Sequence, residues 1–107
     1  MKANYNDKFI KFEISYLNDG FVLNLVNYIV VGVDEKLDRC TLLNEFSQKF
    51  HTEYLELDQI KEKYSTNLLD AYEIFEKDCK WRINNLIKDY NQYIRCLDEA
   101  LEQVIKW

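Results

Sequence analysis

The chain has 107 residues, of which 48% are hydrophobic and 15% are aromatic, and its formal net charge is −5. This composition excludes global disorder, because disordered chains are poor in aromatic and apolar side chains, and the length predicts a single domain over residues 1–107. The acidic charge argues against nucleic acid as a partner, since nucleic-acid affinity depends largely on Lys and Arg.

Neither a targeting segment nor a membrane span is predicted. The first seven residues are polar, unlike the apolar core of a secretory signal. The longest apolar-rich run, 21–33, contains Asn24 and Asn27 and is shorter than the roughly 20 residues that cross a bilayer. The three cysteines lack the even number and the spacing of a disulfide framework, which favours a reducing compartment. We therefore expect a cytoplasmic protein without membrane contact.

The N-terminal third is predicted to form a β-hairpin. Apolar and polar side chains alternate over 8–17, which is the period of a half-buried strand. Residues 18–20 end in a glycine, which can take the left-handed conformation of a three-residue loop. The following stretch, 21–33, is rich in Val and Ile, which favour strands over helices.

A three-residue loop sets the pairing of the two predicted strands. In that register Tyr16 faces Val22, and Asn24 lies opposite Ile14 on the apolar face, which is an unfavourable place for an amide. The alternative is a helix over 20–31 that ends at a glycine. We prefer the hairpin because of the β-branched residues in this stretch.

The middle of the chain is predicted to be helical. Thr41 or Asp38 can cap a first helix, and Asp58 and Ser65 can each begin a further one after a kink or short turn. The apolar residues of the first helix recur at helical spacing. They are Leu43, Phe46, Phe50, Tyr54 and Leu57.

The last third has the clearest periodic pattern. Its apolar and aromatic residues follow an eleven-residue repeat, which is close to the natural period of a helix and predicts a helix over 66–106. Such a helix would span about 60 Å, so we expect either an elongated molecule or a break near Asn84 and Asn85. The repeat consists of Leu68, Tyr72, Phe75, Cys79, Ile83, Leu86, Tyr90, Ile94, Leu97, Leu101 and Ile105.

Together these elements predict an α+β fold that is mainly helical. An N-terminal β-hairpin packs on amphipathic helices, and the C-terminal helix is long. An all-α fold is the alternative, in which residues 20–31 are helical. An unbroken C-terminal helix would extend beyond the N-terminal half, so a second chain or a partner would have to cover its apolar stripe.

No motif for catalysis or metal binding occurs in the sequence. His51, the one side chain that titrates near neutrality unaided, is interpreted as an ordinary surface histidine. Cys40, Cys79 and Cys96 do not have the paired spacing of zinc ligands. The motifs of phosphate-binding loops, dinucleotide sites, zinc proteases and serine hydrolases are absent. We expect a protein that is not an enzyme and that holds no cofactor or metal.

Candidate residues for binding a partner come from charge and from aromatic side chains. Carboxylates at helical spacing share a face and can steer a basic protein partner towards the chain. Aromatic residues off the apolar stripe are candidates for contact, since Tyr and Trp are frequent in interface hot spots. The candidate partner-binding residues are Glu53, Glu56, Asp70, Glu73, Trp81 and Tyr93.

In size, acidity, aromatic helices and a composition heavy in Asn, Ile, Lys and Tyr, the chain resembles the small acidic immunity proteins that neutralise bacterial toxins. Those of contact-dependent growth inhibition systems are included in this group. The resemblance implies a cytoplasmic inhibitor that binds a toxin domain, often a nuclease, and occludes its active site. It is a resemblance of overall character and assigns no role to a single residue. The alternative is a structural or adaptor protein that acts through homodimerisation or assembly.

Overall fold

The chain forms a four-stranded antiparallel sheet, with strands in sequence order, followed by helices that cover it. The structure is a computed structural model that describes residues 1–18, 20–85 and 90–106. The elements are β1 (Lys8–Leu17), β2 (Gly20–Asp34), β3 (Arg39–Asn44), β4 (Phe50–Tyr54), α1 (Leu57–Ile60), α2 (Leu68–Asn85) and α3 (Tyr90–Lys106).

The fold class is therefore α+β, as expected, but it is not mainly helical. The prediction of a mainly helical fold and the all-α alternative are both wrong, because the sheet takes up as large a part of the chain as the helices do. The added sheet comes from the middle of the chain, where helices were expected.

The N-terminal hairpin is confirmed, but its predicted register is wrong by one residue. Leu17 pairs with Gly20, so the turn has two residues between the strands. A slip of one residue turns every β2 side chain to the opposite face. Asn24 consequently lies opposite Glu13 on the more polar face, where its amide donates a 2.7 Å hydrogen bond to the Ser15 hydroxyl. This register removes the unfavourable placement of Asn24.

The alternative helix over 20–31 and the helix predicted after Asp38 or Thr41 are both strands in the structure. Residues 20–31 lie within β2, and the helix expected after Asp38 or Thr41 is the β3–β4 hairpin. The apolar spacing was misleading because Leu43 and Phe50 are cross-strand partners and not neighbours along a helix face. Residues at every second position of a strand also share one side, so short apolar patterns fit either element.

The β1–β2 hairpin is buried on both faces, which divides the core in two. One face of β1 and β2 packs against α2 and α3, and the other is covered by α1 and by the N-terminal residues. The helix-side core contains Phe12, Phe21, Ala71, Phe75, Cys79, Tyr93, Cys96, Leu97 and Ala100. The opposite core contains Ala3, Phe9, Val26, Tyr28, Val30, Cys40, Leu42, Leu55, Ile60 and Tyr64.

In place of the predicted long C-terminal helix, the structure has two helices, α2 and α3, which pack against each other. The predicted break near Asn84 and Asn85 agrees with α2, which ends at Asn85. The longest dimension of the molecule is 44 Å, shorter than the roughly 60 Å of an unbroken helix. No helix within the described residues is long and apolar enough to cross a bilayer.

The predicted apolar stripe describes α2 better than α3. Phe75 and Cys79 are buried, whereas most of the α3 members of the stripe, Tyr90, Ile94, Leu101 and Ile105, are exposed. The prediction is wrong for α3 because this helix packs against the sheet through a different set of residues from the ones that the repeat predicts. The buried α3 residues are Tyr93, Cys96, Leu97 and Ala100. Leu86, predicted to be buried, lies outside the described residues.

The loss of stability on replacing an apolar α3 residue by Ala should depend on whether that residue is buried in the structure, and not on its membership of the eleven-residue repeat. Leu97 is 9% exposed and Ile105 is 74% exposed, although both belong to the predicted stripe. We expect Leu97→Ala to lower the free energy of unfolding by about 2–5 kcal/mol, because it leaves a cavity. Ile105→Ala, the matched control, should change it by no more than about 0.5 kcal/mol. Equal losses in urea denaturation would show that the repeat is buried along its whole length.

Candidate protein-binding site

A groove of about 920 Å³ lies between β1 and α2. Ile10 and Phe12 form its floor, and the segment 61–66 forms one wall. Side chains on the outward flank of α2 form the other wall, while the inward flank of the same helix is anchored in the core by Phe75. The residues of the α2 wall are Asp70, Glu73, Ile74, Lys77, Asp78, Trp81 and Arg82. We call this site the β1–α2 groove.

The floor of the groove is the outer edge of the sheet. β1 pairs with β2 on one side, and on the other side it meets the rest of the described chain at a single bridge. There the Ile10 N–H donates to the Ser65 carbonyl at 2.6 Å, and the Ser65 N–H donates to the Ile10 carbonyl at 2.9 Å. Beyond this bridge, no backbone hydrogen bond joins the outer edge of β1 to another segment within the described residues.

Asp70 and Glu73 are both on the α2 wall, but they differ in what they contact. The Asp70 N–H donates to the Asn67 side-chain oxygen at 2.9 Å, and the Asn67 amide donates to the Asp70 carboxylate at 2.8 Å. This reciprocal arrangement caps the helix N-terminus. Glu73 is exposed and lies within salt-bridge distance of no cation among the described residues. Glu73 is therefore the carboxylate available to a partner.

Trp81 stands at the far end of the same wall, with 65% of its surface exposed. Beside it, Arg82 closes the groove by joining α2 to β1. Its guanidinium donates to the Asp78 carboxylate at 3.1 Å and to the Tyr16 hydroxyl at 2.9 Å. The groove thus ends in a fixed ion pair next to a large exposed indole.

The other candidate residues lie elsewhere. Glu53 points to the opposite face of the sheet and accepts hydrogen bonds from the Tyr64 hydroxyl at 3.1 Å and the Lys63 ammonium at 3.5 Å. Glu56 lies 2.6 Å from the amino group of Met1. Both carboxylates therefore have contacts within the fold and do not line the groove.

Tyr93 is a core residue and not a surface contact. Its side chain is 1% exposed and packs against Phe21 with ring centroids 4.9 Å apart. Tyr93 lies off the predicted apolar stripe, and its prediction as a contact residue is wrong because α3 buries a different face. Of the six candidates, the groove brings together Asp70, Glu73 and Trp81.

A buried polar network on the opposite face was missed by the sequence analysis. The Tyr28 hydroxyl donates to the Glu13 carboxylate and accepts a 3.1 Å bond from the Asn44 amide. Its ring lies edge-on to Tyr64 at 4.8 Å and to His51 at 5.7 Å. Desolvation and the Glu13 carboxylate raise the pKa of the Tyr28 phenol. The alternating pattern of β1 assigned Glu13 to solvent, since nothing local shows that both faces are covered.

The cysteines belong to different cores. Cys40 lies on the α1 side of the sheet, and Cys79 and Cys96 lie between the sheet and α2 and α3. All three are free thiols, and burial raises the pKa of the Cys79 thiol to about 12. No cluster of three or more potential metal ligands occurs within residues 1–18, 20–85 and 90–106.

A second exposed surface lies on β3, β4 and the turn between them. Phe50 is 67% exposed, and Phe46 and Tyr54 are also largely exposed. The Arg39 guanidinium stacks 4.1 Å from the centre of the Tyr54 ring. α2 and α3 pack on β1 and β2, and α1 is the helix that contacts β4 among the described residues. We call this surface the β3–β4 aromatic face.

The β1–α2 groove combines three recognition elements: backbone hydrogen-bonding groups, an unpaired carboxylate and an exposed indole. These elements recur where proteins bind extended peptide segments. Comparison of the chain with protein-family models, curated proteins and solved structures gives no match. The geometry of the groove therefore carries the functional argument.

The capping role of Asp70 predicts a difference between the two acidic residues of the wall. Asp70→Ala should lower the free energy of unfolding by about 1 kcal/mol, because the helix loses half of its reciprocal cap. Glu73→Ala should change it by no more than about 0.5 kcal/mol, since an exposed side chain is removed. Urea denaturation of both variants measures the difference. Equal losses would contradict the assignment of Asp70 as the capping residue.

The buried phenols predict a loss of stability at alkaline pH. Desolvation and Glu53 raise the pKa of Tyr64 above its ordinary value of 10.0. The folded chain therefore keeps a proton that the unfolded chain releases, so this contribution is complete below pH 10 and declines as the pH rises above it. In urea denaturation, Tyr64→Phe should show a shallower alkaline decline than the wild type. Parallel curves above pH 10 would contradict this.

Proposed function

We propose that the chain is a protein-binding inhibitor, a cytoplasmic immunity protein that neutralises a basic toxin domain by occluding it. The observation that carries the proposal is the β1–α2 groove, whose wall presents Glu73 and the exposed Trp81 beside the open edge of the sheet. The overall resemblance to toxin-immunity proteins supports the same function.

Trp81 has the properties of an interface anchor. A largely exposed indole leaves apolar surface in water, which burial against a partner would remove. Trp is also one of the residue types enriched among interface hot spots. Because the opposite side of α2 is fixed in the core by Phe75 and Cys79, little backbone conformational entropy is lost when the wall binds.

Charge supports a basic partner. The net charge of −5 attracts a cationic surface from a distance and raises the association rate at low salt. Nuclease domains are suitable partners, since proteins that bind nucleic acid carry Lys and Arg for phosphate contacts. The three free cysteines support a reducing compartment, in agreement with a cytoplasmic inhibitor.

A structural or adaptor role through self-association is the second candidate. The β3–β4 aromatic face favours it, since exposed apolar patches often mark interfaces between proteins. The long helix no longer supports this role, because α2 and α3 cover each other and the sheet. The two candidates therefore predict different surfaces, one centred on Trp81 and the other on Phe50.

Co-expression with the product of the adjacent gene tests the proposed function. We expect the chain to protect cells from a basic toxin by forming a complex with it. The association rate of this complex should fall as the salt concentration rises. Trp81→Ala should weaken the complex by about 2 kcal/mol, roughly thirtyfold in Kd, and abolish protection. Phe50→Ala, a matched removal of an exposed aromatic ring, should leave protection unchanged.

The opposite pattern would contradict the proposal. A stable dimer that light scattering detects in the wild type and not in Phe50→Ala would favour self-association, particularly if no adjacent product is neutralised. Protection that survives Trp81→Ala would remove the β1–α2 groove from the mechanism.

A further inference from the structure

We infer that the partner enters the β1–α2 groove as an added β-strand, an extended segment hydrogen-bonded to the outer edge of β1. Side chains at every second position of this segment, in the order basic, acidic and apolar, face the α2 wall. The inference rests on the proposed function and specifies how the partner is held. Its basis is the bridge at Ile10, the unoccupied part of the β1 edge and the charge order along α2.

The bridge at Ile10 shows which backbone groups face the groove. In a strand, the N–H and C=O of one residue point to the same side, and those of the next residue point to the other. Since Ile10 exchanges both bonds with Ser65, the groups of Phe12 and Ile14 also point away from β2. The residues between them, Lys11 and Glu13, use their groups in the β1–β2 ladder.

The Phe12 and Ile14 groups are available for pairing. Within the described residues, neither a backbone nor a side-chain group donates to or accepts from their outward N–H and C=O. Natural proteins usually cover or block such edges, since an open edge is a template for another strand. Among the residues that the structure describes, the edge is covered only at Ile10, through an antiparallel bridge to Ser65. That bridge is the first pair of a strand that the chain does not continue.

The α2 wall matches an extended segment in spacing. Glu73, Lys77 and Trp81 are four residues apart and all line the groove. Four helical residues advance about 6 Å, and two strand residues advance about 6.6 Å. A carboxylate, an ammonium and an indole therefore stand opposite successive same-side positions of an added strand.

The charges of the groove determine the chemistry of the segment. Arg82 and Lys63 are engaged by Asp78 and Glu53, and Asp70 belongs to the helix cap. On the α2 wall, Glu73 and Lys77 are left without an ion-pair partner among the described residues, as are Lys61 and Glu62 on the opposite wall. The complementary segment has a cation opposite Glu73, an anion opposite Lys77 and an apolar side chain opposite Trp81.

A random heptapeptide library displayed on phage tests the inference with the full chain as bait. We expect enriched peptides with alternating positions that carry a basic, an acidic and an apolar residue, in either chain direction. The double variant Glu73→Lys with Lys77→Glu keeps the net charge and should select the reversed charge order. The matched double variant Glu102→Lys with Lys106→Glu, at the same spacing on α3, should select the original order.

The second readout is amide hydrogen exchange of the chain, measured with and without the best-binding synthetic peptide. Strand addition should slow exchange at Phe12 and Ile14 by about tenfold or more and leave Lys11 and Glu13 unchanged, because the latter are already in the ladder. This alternation distinguishes strand pairing from contact by side chains alone.

The outcomes separate this inference from the proposed function. A library without enriched peptides, a charge order that the Glu73 and Lys77 exchange does not reverse, or uniform protection along β1 would overturn strand addition. A toxin neutralised without alternating protection in its complex would leave the function standing and overturn only this inference. Peptide binding with both expected signatures, but no neutralised toxin, would support the edge site and contradict the immunity function.

Discussion

Burial of both faces of the β1–β2 hairpin is the constraint on which the rest of the structure depends. Phe12 and Phe21 lie on one face, and Phe9 and Val26 lie on the other. Each face needs its own cover, since exposed aromatic and aliphatic surface is costly in water. The chain supplies α2 and α3 for one side and α1 with the N-terminal residues for the other. The β1–α2 groove exists because α2 covers the face of β1 and leaves its edge open.

The polar network behind the sheet follows from the same constraint. Glu13 lies on the polar side of the hairpin, yet α1 and Tyr64 cover that side, so its carboxylate needs a partner. Tyr28 supplies one, and Asn44 ties the same hydroxyl to β3. Within the described part of the chain, no buried side-chain nitrogen or oxygen lacks a hydrogen-bond partner. A shift of any of these strands by one residue would break the network, so it also specifies the register.

The two sides of α2 have different roles, since one side packs in the core and the other is exposed to a partner. One side of the helix is fixed in the core through Phe75 and Cys79, and the N-terminus is fixed by Asn67 and Asp70. The exposed side is held rigidly as a result, and Glu73 and Trp81 are presented at a set spacing. This explains why the acidic candidates differ: Glu53, Glu56 and Asp70 have polar contacts within the fold, whereas the Glu73 carboxylate has none with the described residues.

The sequence by itself determined the features that depend on neighbours along the chain. These were the N-terminal hairpin, the helical period of α2, and Trp81 as an exposed ring, whereas the sequence left open whether the C-terminal helix is continuous. Tertiary structure decided which faces are covered. Local patterns could not distinguish the β3–β4 hairpin from a helix, because short apolar spacings fit both. They also could not place Tyr93 in the core or Glu13 in a buried network, since burial depends on which distant segment packs against a face.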